Sequence, residues 1–225
     1  MECFDVYTLK LLSHTAVIAA AANGDLFRLK EILQPQDKTI SLMSYAVANG
    51  HYDMMLWLYE QGVPINEPII FNCGAYSGKL KIVKWLYEKE VPWEPWTSVE
   101  ATKKNVTVLN WLYEHGCPMS EWIAHVGAER FPQTTLKWAL EHGIPMNEWT
   151  CASAAYAGRL GNLQWLRNHN VPWDGWTTAL AAEKGHTNVL FWARDNGCPC
   201  DSRISTYATA TGQKRVMHWA QLNGY

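Results

Sequence analysis

Seven tryptophans, Trp57, Trp85, Trp111, Trp138, Trp165, Trp192 and Trp219, stand 28, 26, 27, 27, 27 and 27 residues apart, so one short unit recurs along nearly the whole chain. A unit this short cannot bury its own apolar face. Each copy must stack on its neighbours, which gives a linear array with a long surface and favours binding over chemistry. Other residues keep the same period. Trp96, Trp122, Trp149 and Trp176 form a second column, and Gly24, Gly50, Gly78, Asn105, Phe131, Gly158, Gly185 and Gly212 a third. A fourth pairs Gly or a stand-in with Pro two residues on, at Gly62/Pro64, Glu90/Pro92, Gly116/Pro118, Gly143/Pro145, Asn170/Pro172 and Gly197/Pro199.

The repeat from Asn147 to Pro172 shows what one unit must be. Asn147 is a good N-cap, Glu148 suits the first turn, and the Ala-rich stretch to Ala157 has high helix propensity. Gly158 breaks this helix. Leu160, Leu163 and Leu166 then recur at helical spacing beside Trp165. A Gly or Asn at the C′ position and a Pro two residues later end the second helix. Asn66, Ser120, Asn147, Asp174 and Asp201 are the expected caps of the first helices, which begin near Thr15, Ser41, Ile69, Trp96, Trp122, Trp149, Trp176 and Arg203. First helices rich in Ala and bulkier second helices bend such a stack toward its thin side, giving a concave face.

With 48% apolar and 18% charged residues the chain can bury a continuous core, and a net charge of −2 gives no general attraction to nucleic acid or anionic membrane. Glu2 and Asp5 sit where a secretory leader requires positive charge, and no stretch approaches the ~18–20 apolar residues of a membrane span. The six cysteines include Cys198-Pro199-Cys200 but no second pair to complete a metal site, which points to reduced thiols and a cytoplasmic setting.

The order of double Ala, Gly, apolar helix and closing Gly resembles ankyrin repeats, with Gly62-Val63-Pro64-Ile65-Asn66 and Gly143-Ile144-Pro145-Met146-Asn147 in the place of the family's inter-repeat turn. Family members run about 33 residues per repeat, so the deletion falls in the finger-like hairpin. The resemblance implies an all-α, ankyrin-like helix-turn-helix solenoid of about eight repeats with shortened or absent β-hairpin fingers. Residues 1–14 are read as a lead-in and 15–225 as the array, with the last repeat, about 201–225, a polar cap. Short Trp-rich units such as Trp57-Leu58-Tyr59-Glu60 are also similar to repeats of large DNA viruses of protists, which would place a host protein as partner in the host cytoplasm.

Eleven tryptophans in two register-locked columns read as core spacers. Trp93 and Trp173 share a position of their own and read as packing between repeats, with an exposed patch as the alternative. His115, His142 and His169 form a column, but neighbouring repeats are a helix-packing distance of about 8–10 Å apart, too far to share one zinc. They read as imidazoles at helix C-termini. Glu60, Glu88, Glu114, Glu141 and Asp195 line up against the helix dipole, either as a solvated face beside bases or as a partner contact.

The residues that vary between repeats, on the first helices, are the candidate partner-binding set: Tyr76, Glu100, Lys103, Lys104, Glu129, Arg130, Tyr156, Glu183, Lys184 and Tyr207. No phosphate loop, GxSxG elbow, HExxH or nonrepeating insertion interrupts the array, so neither an enzyme nor a cofactor is expected. The function expected is a monomeric, noncatalytic scaffold gripping a protein partner along the concave face, with no nucleic acid and no membrane. The alternative, a nucleic-acid-binding helical-repeat protein, would need a basic stripe, and Glu100, Glu129 and Glu183 oppose one.

Overall fold

A computed structural model describes residues 15–104, 106–130 and 133–225. The lead-in, together with Asn105 and Phe131 of the glycine column, lies outside the described residues. Among the described residues there are sixteen α-helices and no strand. They fall into two compact units, Met1–Pro118 and Met119–Tyr225.

The first unit holds α1 (15–23), α2 (Leu26–Ile32), α3 (Ile40–Ala48), α4 (Tyr52–Glu60), α5 (Pro68–Ser77), α6 (Leu80–Glu88), α7 (Pro95–Ala101) and α8 (Val106–Glu114). The second holds α9 (Trp122–Glu129), α10 (Thr134–Glu141), α11 (Glu148–Tyr156), α12 (Leu160–Asn168), α13 (Gly175–Glu183), α14 (Thr187–Asp195), α15 (Arg203–Ala210) and α16 (Lys214–Leu222). From α3 onward each odd-numbered helix begins within one residue of the position its tryptophan column predicts. Odd helices pack on odd helices, α3 on α5 on α7 in one unit and α9 on α11 on α13 on α15 in the other, and each is backed by its even-numbered partner. The close approach rests on small side chains. In the second unit Ala128, Ala154, Ala155, Ala181, Ala182 and Ala208 are fully buried against Leu163, Leu166, Val189 and Leu190.

The side chains of Asn147 and Asp174 accept hydrogen bonds from the amides of Trp149 (3.1 Å) and Trp176 (2.9 Å). Ser120 and Asp201 do the same for Trp122 (3.2 Å) and Arg203 (2.9 Å). Asn66 does not cap α5; Glu67, directly before Pro68, holds that position. The closing column is left-handed throughout, including Glu90 (φ 54°) and Asn170 (φ 59°), where only glycine is at ease.

Just before it lies the histidine column expected at the helix C-termini, and it caps them. His115, His142 and His169 place Nδ1 2.7–2.8 Å from the carbonyls of Trp111, Trp138 and Trp165, four residues back, and stack on those same indoles with centroids 3.8–4.1 Å apart. Asn196 and Asn223 donate from Nδ2 to Trp192 and Trp219 at 2.8 Å. A side-chain donor at this height satisfies one of the last free carbonyls of the helix.

A second column crosses between repeats. The residue after the inter-helix glycine reaches back to the previous odd helix: His51 to the Ala22 carbonyl (3.0 Å), Arg159 to Glu129 (3.0 Å), His186 to Tyr156 (3.1 Å) and Gln213 to Glu183 (3.3 Å). These residues share a donor and sufficient length, not an identity.

Buried threonines at the third position of odd helices form a third link. Thr97 donates to Asn72 Oδ1 (2.6 Å) and accepts from the Glu94 amide (3.1 Å). Two repeats on, Thr150 accepts from the Asn147 amide (3.1 Å) and lies 3.2 Å from His125 Nδ1. The equivalent Thr177 stands opposite Ala152 in that register, and its buried hydroxyl has no nitrogen or oxygen partner; it is left with the Cys198 thiol, a weak sulfur acceptor itself engaged with the Asp174 carbonyl at 3.3 Å. Two conservative substitutions should therefore differ in effect. Thr150→Val should destabilise by about 1–3 kcal/mol, because it takes the partner from the buried His125 ring and the half-buried Asn147 amide, while Thr177→Val, which gives up only a weak sulfur contact, should be close to neutral. Equal losses in urea titrations of the two variants would refute the pairing.

Burial also holds the His125 imidazole below its ordinary value of 6.5, with Glu121 partly opposing. The unfolded chain then takes up the proton first, so this contribution to stability is complete above about pH 6.5 and is lost progressively as pH falls below it. His125→Asn should flatten that part of the stability–pH curve.

Candidate binding face

The two tryptophan columns separate in the structure. On the even helices Trp111 and Trp138 are buried, at 9% and 5% exposure, and Trp57, Trp85, Trp165, Trp192 and Trp219 are half-buried. On the odd helices Trp96, Trp122 and Trp149 are 45–52% exposed, and Trp176 is half-buried. The core assignment is thus corrected for the second column. The reason is the thinness of the odd helices: in α11 the buried residues are Thr150, Cys151, Ala152, Ala154 and Ala155, a spacing between helices that admits small side chains and leaves no room for an indole. Trp93 and Trp173 pack as expected, Trp93 against Phe71 and Tyr87 (both 5.3 Å) and Trp173 against Trp192 (5.9 Å).

Seven residues separate Trp122 from Glu129 in α9, Trp149 from Tyr156 in α11 and Trp176 from Glu183 in α13, which places each pair on one helix face, while Lys103, seven after Trp96, lies in the turn beyond α7. On each of these three helices the indole and the variable residue therefore share a face, and that spacing is readable in the sequence. In the second unit Trp149 stacks on Trp176 (5.7 Å), which also meets the Arg203 guanidinium (4.6 Å) and Tyr207 (6.0 Å).

The structure brings most of the candidate residues together within their units. In the first, Lys103 pairs with Glu100 at 2.7 Å, and Lys103 and Lys104 sit 5.6 and 5.2 Å from the Tyr76 ring centroid. Glu100 also accepts from Trp96 Nε1 (2.9 Å), and Ile69, Asn72, Cys73, Tyr76, Trp96 and Glu100 line a cavity of about 200 Å³. In the second unit, Lys184 pairs with Glu183 (3.0 Å) and lies 4.4 Å from the Tyr156 ring centroid. Glu129, Arg130, Tyr156 and Lys184 share a groove of about 490 Å³ with Ala157, Arg159 and His186. Tyr207 stands apart, beside Trp176 in the body of α15. The acidic column is exposed, with Asp195 paired to Arg194 (2.6 Å).

Residues 43–87, from α3 to α6, match the family model for ankyrin repeats (many copies). Over these residues the chain carries ankyrin repeats. No curated protein matches it. Ankyrin repeats generally mediate protein–protein interactions, and the fold is typically non-enzymatic. Six or seven residues link each even helix to the next odd one, and the described residues hold no strand in place of the finger.

No helix among the described residues is long and apolar enough to cross a membrane. The described thiols are set for packing. Burial pushes Cys117, Cys151 and Cys198 up to about 12, and Cys73 and Cys200 are raised by the same cause. At pH 8 iodoacetamide should modify Cys117, Cys151 and Cys198 far more slowly in the native chain than in urea, a difference peptide mass spectrometry reads directly.

Proposed function

We propose that this chain is a noncatalytic protein-binding module acting in a cytoplasmic setting, and that it holds its partner on the odd-helix face of the second unit, which bears Trp122, Trp149 and the variable residues beside them, with Trp96 marking the corresponding face within the first unit. One observation carries the reading. Three tryptophans are about half exposed on helices whose remaining surface is small and closely packed. Exposed Trp flanked by Tyr, Arg and mixed charge is the composition of an interface centre. The candidate residues surround these rings as an adaptable polar rim.

The test compares capture of a cellular partner by full-length variants within one unit. Trp122→Ala and Trp149→Ala should weaken capture at least tenfold, roughly the effect of losing a hot-spot anchor. Leu140→Ala, which removes a side chain 46% exposed on α10, should leave it unchanged. Equal thermal midpoints would establish that folding is intact. Loss of capture with Leu140→Ala alone would move the interface to the even helices.

A further inference from the structure

The groove on the second unit carries a charge opposite to that of the chain. The chain's net charge is −2, yet Arg130, Arg159 and Lys184 converge there against one carboxylate, Glu129. These side chains are already positioned. Arg159 is held by its Nε bond to the Glu129 carbonyl (3.0 Å), which leaves the guanidinium's Nη groups available to a ligand. His186 is anchored through Nε2 on the Tyr156 carbonyl (3.1 Å), and Lys184 sits over the Tyr156 ring. Preorganised donors lose little freedom when an anion arrives. The carbonyls at the ends of α9 and α11, which would repel an anion, are covered by these same reach-back donors.

We propose that this groove takes neighbouring Asp or Glu side chains from an extended acidic segment of the bound protein. The inference rests on the protein-binding reading and names the partner's chemistry. Carboxylates spread along a segment fit better than one phosphate group because the cations are not gathered about a point: Glu129 stands among them and Lys184 is shared with Glu183 at 3.0 Å, so no dense cluster of uncommitted cations awaits a compact divalent charge. A volume of about 490 Å³ accommodates side chains rather than a folded element.

The experiment titrates the full-length chain with N-acetylated, C-amidated tetraglutamate, reading ¹⁵N–¹H spectra at low salt; tetraglutamine and inorganic phosphate serve as parallel probes. Tetraglutamate should shift the Arg159 Nε–H resonance and the amides of residues 156–159 and 184–186 saturably, and tetraglutamine should not. Arg130→Gln combined with Lys184→Gln should weaken the binding at least about fivefold with the fold intact, and 0.5 M salt should weaken it similarly. Both substitutions lie at the ends of helices, and each leaves the Arg159 and His186 anchors in place.

Absence of these shifts, or binding that ignores the double variant, would overturn the proposal. So would inorganic phosphate acting on the same resonances at lower concentration than tetraglutamate. The titration needs no cellular partner, so the two readings fail separately. If Trp149→Ala loses the partner while tetraglutamate leaves the groove unmoved, only the groove assignment falls. If tetraglutamate binds but no tryptophan variant affects capture, the odd-helix face falls.

Discussion

Replacing Trp138 by Ala should lower the stability of the second unit by about 3–5 kcal/mol, the range for emptying a buried large aromatic site. Trp138 is 5% exposed, its ring stacks on His142 at 4.1 Å, and its carbonyl binds His142 Nδ1 at 2.8 Å. Removing the indole therefore opens a cavity and also strips the capping imidazole of the surface that holds it. Trp149→Ala removes the same group from the same unit, but at 52% exposure. Its cost should stay within about 1 kcal/mol, as for most surface changes, while its effect on partner capture should be large. Urea titrations at equal m-values separate the two. An unmoved midpoint for Trp138→Ala would remove the even-helix column from the core. A loss for Trp149→Ala as large as that for Trp138→Ala would make the odd-helix column structural and withdraw it from the binding face.

The contrast between these two tryptophans marks where the sequence is sufficient and where it stops. Period is legible from one chain: the spacing of Trp57 to Trp219 fixes the repeat length, and the odd helices begin within one residue of the expected sites. So are the positions whose backbone requires glycine, because the closing and inter-helix columns name them. Depth is not legible. A column of identical residues states only that those repeats treat that position alike, and Trp149 recurs in four successive repeats, as Trp138 recurs in its own column, although one faces solvent. The seven-residue spacing from Trp149 to Tyr156 held the missing information, since a residue sharing a helix face with a solvent-facing position is itself turned outward.

The reach-back column was hidden for the opposite reason. His51, Arg159, His186 and Gln213 do one job with three residue types, so a reading that seeks identical letters passes over them. The poorly partnered hydroxyl of Thr177 likewise follows from Ala152 one repeat earlier, a relation that appears only when odd helices are laid side by side.

Gly158→Ala tests the reach-back column directly, and it should cost about 2–3 kcal/mol. Gly158 and Gly143 have the same backbone conformation, φ 68°, so substituting either by Ala carries the left-handed penalty of about 1–2 kcal/mol. Their surroundings differ. A Cβ at Gly143 meets nothing within 4 Å, whereas one at Gly158 would lie 2.7 Å from the His186 ring. The ring must then leave, and its bond to the Tyr156 carbonyl (3.1 Å) is lost with it, adding about 0.5–1.5 kcal/mol. The excess should vanish when His186 is already Ala, so that Gly158→Ala in that background costs no more than Gly143→Ala in the native chain, as coupling through one contact requires. Equal costs for the two glycines in the native background would show that the ring relaxes freely, and that glycine is required there by its dihedral angles alone. If the excess is found, the same displacement carries His186 out of the groove it shares with Arg159 and Lys184. Tetraglutamate affinity should then fall in Gly158→Ala and remain unchanged in Gly143→Ala, linking a backbone requirement of the repeat to the surface on which the partner is held.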